Sequence, residues 1–85
     1  EVRRNGARVD LTPSEYRLLV ALARYPGRVY SRLELIEEVH GWDFDGFERT
    51  IDAHVKNLRK KIEPDPRNPY YVETVIGSGY RLARR

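Results

Sequence analysis

The sequence contains no cysteine. That excludes disulfides, cysteine-ligated zinc and a thiol nucleophile. It also fits a reducing compartment, and the expected location is the cytoplasm. No apolar run approaches the length that spans a bilayer. No signal-peptide pattern opens the chain, which starts on Glu1-Val2 without methionine and so reads as a domain of something longer. Repeats, linkers and low-complexity tracts are missing too. No serine, histidine or acid stands at a spacing that suggests a nucleophile with its base. Ser14 and Ser31 are spent on helix starts, so no catalytic residue and no enzyme activity are expected.

The sequence does have charge. Of 85 residues, 34% are charged and the net charge is +3. Residues 1–48 hold 7 Lys/Arg against 9 Asp/Glu, and residues 49–85 hold 9 against 4. The first part is therefore −2 and the second +5. A localised basic region points to a polyanionic partner, nucleic acid or an anionic membrane surface. One domain with a real core is the size expected at this length.

The basic excess begins at Arg49–Ile62, RTIDAHVKNLRKKI. At about 100° per residue, Ile51, Val55, Leu58 and Ile62 form one apolar stripe. Arg49, Ala53, Lys56, Asn57 and Lys60 fall opposite. Packing requires the stripe but not a one-sidedly positive outer face. Lys56, Arg59, Lys60, Lys61 and Arg49 are candidates for phosphate contact. Ala53 can pack on a thymine methyl and Asn57 can pair bidentately with adenine. The alternative is a solvated basic face on an ordinary helix. Asp52 has two readings. It forms an ion pair with Lys56 at i,i+4, or it orients a base-reading side chain or accepts from cytosine N4.

Upstream, segments 1–5 and 7–11 read as two short extended pieces around Gly6, with Val2, Val9 and Leu11 inward. Thr12-Pro13-Ser14-Glu15 is a capping box that starts a helix running to about Tyr25. Tyr16, Leu19, Val20, Leu22 and Ala23 keep its spacing, with Leu18 alongside. Ser31-Arg32-Leu33-Glu34 is a second box, opening a helix that carries Leu35, Ile36 and Val39 inward and ends at His40-Gly41. Gly41–Glu48, GWDFDGFE, is a loop with three aromatics. After the basic helix, Glu63-Pro64-Asp65-Pro66 is a stop. Tyr70–Ile76 and Tyr80–Ala83 are strand-like, joined by the turn Gly77-Ser78-Gly79. Both alternating sets of the first strand contain apolar residues, so the pattern leaves its buried side open. A short β segment, three helices and a β-hairpin make a winged helix-turn-helix, an α+β fold.

Three weaker signals lead nowhere. His40 and His54 lie far apart and without cysteine make a poor zinc argument; His54 reads as a packed or hydrogen-bonded helix residue. Asp43-Phe44-Asp45-Gly46 lacks most of a calcium loop. Gly77-Ser78-Gly79 lies between strands and not before a helix, so it is a turn and not a nucleotide site. No metal and no cofactor are expected.

The segments LTPSEYRLLVALARYPGRVYSR (11–32), RTIDAHVKNLRKKIEPDP (49–66) and VETVIGSGYRL (72–82) resemble the C-terminal DNA-binding domain of OmpR/PhoB-family response regulators. The resemblance spans nearly the whole chain. It implies a winged helix whose third helix enters the major groove of double-stranded DNA and whose hairpin, 70–83, reaches the adjacent minor groove. Arg49, Thr50, Asp52, Ala53, Lys56, Asn57, Arg59 and Lys60 are then the DNA-side candidates on the helix, and Thr74, Ser78 and Tyr80 those on the wing. Trp42, Asp43, Phe44 and Asp45 become candidate contacts for RNA polymerase, or else pack on the domain itself. The resemblance further implies a receiver domain outside these residues, phosphorylation, and homodimers on tandem repeats. No membrane partner is expected. Two positions depart from the family pattern. Ile76 stands where an arginine for the minor groove is common, with Arg81, Arg84 or Arg85 as substitutes. Asn57 stands at an often basic site and suggests adenine opposite it. The rival readings are a winged helix used only for protein contacts and a non-specific or RNA-binding module.

Overall fold

The capping boxes set the first two helices in place. In this computed structural model, which describes residues 3–4, 7–41 and 48–84, Thr12 Oγ1 accepts from the Glu15 amide at 3.2 Å while Glu15 Oε1 accepts from the Thr12 amide at 2.9 Å. Helix α1 follows, Pro13–Arg24. The same reciprocal pair between Ser31 and Glu34 opens α2, Arg32–His40. Such caps are worth on the order of 1 kcal/mol each. Helix α3 is Arg49–Ile62. It ends where Glu63 turns extended ahead of Pro64, as a residue before proline must.

The third strand is shorter than the sequence suggests, and the fourth keeps its length but begins one residue earlier. β1, Arg3–Arg4, pairs antiparallel with β2, Ala7–Arg8. β3, Val72–Val75, pairs antiparallel with β4, Gly79–Leu82, in the register Val72↔Leu82 to Val75↔Gly79. Gly79 is thus the first residue of β4 and not part of the turn. The Ser78 amide closes that turn on the Val75 carbonyl at 2.9 Å. Tyr30, between α1 and α2, exchanges two backbone hydrogen bonds with Tyr80, at 2.8 and 2.9 Å. This bridge ties the hairpin to the helical body. It also explains Gly79: its φ is +139°, and a Cβ there would lie 1.9 Å from the Tyr30 carbonyl oxygen.

One core joins the three helices and the hairpin. Leu18, Leu22, Leu35, Ile51, Leu58 and Val72 are fully buried in it, with Val9 and Leu11 packed at its edge. The stripes expected on α2 and α3 are the ones buried. On α1 the burial is rotated: Leu18, Ala21 and Leu22 face in with Glu15, whereas Tyr16, Val20 and Ala23 are exposed. The run Leu18–Ala23 is apolar throughout, so spacing alone did not single out the buried side. On β3, Val72 is buried and Thr74 and Ile76 beyond it are exposed, while the facing strand stays against the body through the buried Tyr80. Among the described residues, no helix is long and apolar enough to cross a membrane.

Candidate nucleic-acid interface

Helix α3 presents four sides. Ile51, Val55, Leu58 and Ile62 are buried. Arg49, Ala53, Lys56, Asn57 and Lys60 are all exposed on the opposite side. Two flanks lie between these, and each carries a pair of polar residues seven positions, or two turns, apart.

The first flank faces the hairpin. Asp52 does not pair with Lys56. Its carboxylate accepts from Arg32 on α2, Nε at 3.1 Å and Nη2 at 3.0 Å, and from the Tyr80 hydroxyl on β4 at 2.5 Å. Burial and this bond to Asp52 push the Tyr80 phenol up to about 12. Two turns on, Arg59 donates Nε and Nη2 to the Val72 carbonyl, at 3.1 and 2.7 Å, and Nη2 to Thr74 Oγ1 at 2.8 Å. Its guanidinium also lies 5.7 Å from the centre of the Tyr80 ring. The Arg59, Thr74 and Tyr80 side chains, expected on the DNA side, are therefore committed to joining helix and wing.

The second flank faces the helical body. Lys61, expected among the phosphate contacts, instead reaches Glu15 Oε1 at 2.6 Å. Burial works to raise the Glu15 carboxyl, but the Lys61 hydrogen bond, the Thr12 amide and the Lys61 charge outweigh it and hold the group below its usual 4.5. His54 meets His40 of α2, Nε2 to Nε2, at 3.0 Å. The two histidines that looked remote in sequence are neighbours, and His54 is the hydrogen-bonded helix residue expected.

These flanks leave the outer face with three cations, Arg49, Lys56 and Lys60, around the small Ala53 and the amide of Asn57. Lys56 and Lys60 have no ion-pair partner among the described residues. Thr50 is half-buried beside this face. A cleft between the start of α2 and the wing runs past Arg32, Glu48, Thr74 and Ser78. Ser78 is exposed at the turn, next to Ile76, which is 90% exposed. Arg81 does not stand in for a wing-tip cation: its Nε pairs with Glu73 of the facing strand at 2.8 Å. Trp42, Asp43, Phe44, Asp45 and Arg85 lie outside the described residues. Among the described residues, no group of three or more potential ligands is arranged to hold a metal.

Residues 6–82 match the family model described as "Transcriptional regulatory protein, C terminal". The chain belongs to this family, the DNA-binding domains of OmpR/PhoB-type response regulators. It is 48% identical over 81 residues to the DNA-binding response regulator MtrA of Mycobacterium tuberculosis, covering 95% of this chain and 36% of that protein. Its fold superposes on the response regulator DrrB, a Thermotoga maritima OmpR/PhoB homologue, with a TM-score of 0.83 at 35% identity, covering 93% of this chain and 36% of that one. It also superposes on the Klebsiella pneumoniae RstA DNA-binding domain in complex with the RstA box, TM-score 0.80 at 32% identity, covering 92% and 77%. The chain spans about a third of the length of the curated relatives it matches.

The site holds two residues that sequence reasoning missed. Arg32 was read only as part of a capping box, and Glu63 only as part of a helix stop. Glu63 is completely buried and accepts from the amides of Tyr70, Tyr71 and Val72 at 2.8–3.1 Å. It thereby fixes where β3 starts relative to the end of α3. The seven-residue spacing of the polar pairs 52/59 and 54/61 was the available signal that the flanks are used.

Proposed function

We propose that this chain is the sequence-specific, double-stranded-DNA-binding effector domain of a two-component transcription regulator. Helix α3 enters the major groove and the β3–β4 hairpin lies beside the minor groove. The observation that carries this reading is the outer face of α3. Both flanks are tied to the body, yet Arg49, Ala53, Lys56, Asn57 and Lys60 stand exposed together. The cations supply affinity and register through phosphates, and Ala53 and Asn57 supply base contacts. The domain acts by binding and not by catalysis. For the whole protein the reading extends to tandem DNA repeats bound by a homodimer, to RNA polymerase contact through Trp42–Asp45, and to a cytoplasmic location. The family membership supports these extensions.

Selection of bound duplexes from a random pool, followed by titration at several salt concentrations, tests the reading. A single enriched motif and a steep log–log salt slope are expected. Lys60→Ala weakens binding to every sequence alike and lowers the slope by about 1, whereas Asn57→Ala costs roughly 1–3 kcal/mol on the best site and relaxes one base position. No enrichment, or equal competition by random duplex or RNA, overturns sequence-specific DNA binding.

A further inference from the structure

Ile76 is the most exposed large apolar side chain among the described residues, at 90%. A lone exposed isoleucine is ordinary on a protein surface. This one stands at the tip of the wing, in the turn that the Ser78 amide closes on the Val75 carbonyl. The turn makes no demand on its side chain. The left-handed φ, +78°, falls on Gly77, and such turns favour small or polar residues. We propose that Ile76 is an apolar wedge that enters the minor groove beside the site read by α3 and partly unstacks a flexible pyrimidine–purine step there. This rests on the DNA-binding reading of α3 and extends it to how the wing selects sequence.

Val72, Thr74 and Ile76 follow one another as alternate residues of β3 and its continuation, and so share a side. Val72 lies in the core and Thr74 Oγ1 accepts from Arg59 of α3. The row that ends in Ile76 is therefore the one turned toward α3.

Unstacking a base step pushes back on whatever enters it, so a wedge needs a frame that does not yield. The hairpin is such a frame. Tyr30 and Tyr80 exchange two backbone hydrogen bonds, and Arg59 holds the Val72 carbonyl from α3. Glu63 accepts from the amides of Tyr70, Tyr71 and Val72, and the Ala83 amide donates to the Tyr71 carbonyl at 2.8 Å. Only the tip, with Ile76, Gly77 and Ser78, stands fully exposed.

The tip, Val75–Gly79, also carries no charge. Neither described arginine of the hairpin reaches it. Arg81 pairs with Glu73 across the strands at 2.8 Å. The stem of Arg84 lies over Gly27, where a Cβ would come within 2.4 Å of Arg84 Cδ. An uncharged tip releases no counterions and makes no use of the negative potential of a narrow groove. What it gains is burial of apolar surface, and it favours the steps that open most easily, TA and CA/TG.

Duplex selection with the wild-type chain and with Ile76→Ala, at one salt concentration, tests the wedge. The wild type enriches TA or CA/TG beside the motif read by α3. Ile76→Ala keeps that motif and loses the flanking step. On the selected duplex Ile76→Ala binds about tenfold more weakly with an unchanged salt slope. Ile76→Arg steepens the slope by about 1 and moves the flank toward A-tracts, whose narrow groove attracts arginine. 2-Aminopurine at the flanking step, quenched while stacked, brightens when the wild type binds and stays dim with Ile76→Ala. Circular dichroism checks that the variants fold. Binding of Ile76→Ala within about twofold of wild type, or a wild-type complex in which 2-aminopurine stays dim, overturns the wedge. If Asn57→Ala still relaxes its base position, the DNA reading survives that result and Ile76 is left to a protein contact. A wild-type chain that enriches no motif overturns the DNA reading and the wedge with it.

Discussion

The Tyr80 hydroxyl and the Arg32 Nε donate to the same oxygen of Asp52, Oδ1, at 2.5 and 3.1 Å. One atom near the start of α3 therefore gathers the start of α2 and strand β4 of the wing. A carboxylate held this way is turned toward the protein. Asp52→Asn should lower stability and leave the base preference at every position unchanged, as read by the same duplex selection. Tyr80→Phe should cost about 1.5–3 kcal/mol, the usual value of a hydrogen bond to a charged group, as measured by urea denaturation.

The Tyr80 phenol gives that contact a pH signature. Its folded value is raised to about 12, above the ordinary 10.0, so the neutral form is favoured by folding. The associated stability is complete below pH 10 and is lost as pH rises through about 12. Ultraviolet titration of the tyrosines should show a late phenol that is absent in Tyr80→Phe.

The acid limb belongs to the capping carboxylates. Glu34 is held below the usual range chiefly by its bond from the Ser31 amide, and Glu15 is also held low, burial being outweighed by Lys61 and Thr12. Depressed carboxyls contribute stability that is present above about pH 4.5 and lost as pH falls through their folded values. Glu15→Gln should flatten the loss of stability below pH 4.5 and also release Lys61. A midpoint of acid unfolding that does not move in this variant would rule out the assignment.

Glu63 should be the least replaceable acid among the described residues. Glu63→Gln puts an amide nitrogen where both carboxylate oxygens now accept backbone N–H groups. Leaving buried donors unpaired costs roughly 1–3 kcal/mol, and a Tm drop of about 4–8 °C per kcal/mol is expected for a domain of this size. Differential scanning calorimetry reads it directly.

Gly79→Ala tests the bridge between the body and the wing. The new methyl would meet the Tyr30 carbonyl at a distance no Cβ occupies, so backbone must shift. A destabilisation larger than the roughly 1 kcal/mol of a strained φ is expected in chemical denaturation.

Helix starts, the stripes of α2 and α3 and the element order were legible in the sequence, because capping boxes and 3.6-residue periodicity are local. The burial of α1 was not, because a run that is apolar on several sides carries no phase. Strand ends were misplaced because Gly79 reads as a turn residue, while its need for glycine comes from Tyr30, 49 positions earlier in the chain. The outer face of α3 was legible as a set. Its flanks were not: Arg59, Lys61 and Asp52 look like any other charges on a basic helix, and only the packed neighbours Val72, Glu15 and Arg32 claim them.

The two-turn spacing of those flank pairs separates two tasks that a single helix must perform. Asp52, Arg59, His54 and Lys61 fix how far α3 can roll about its own axis. Ala53 and Asn57 touch none of those contacts. With the outer face reading DNA as proposed, exchange of these two residues changes operator preference without re-solving the folding of the domain, and the same four anchors can carry many different regulatory vocabularies.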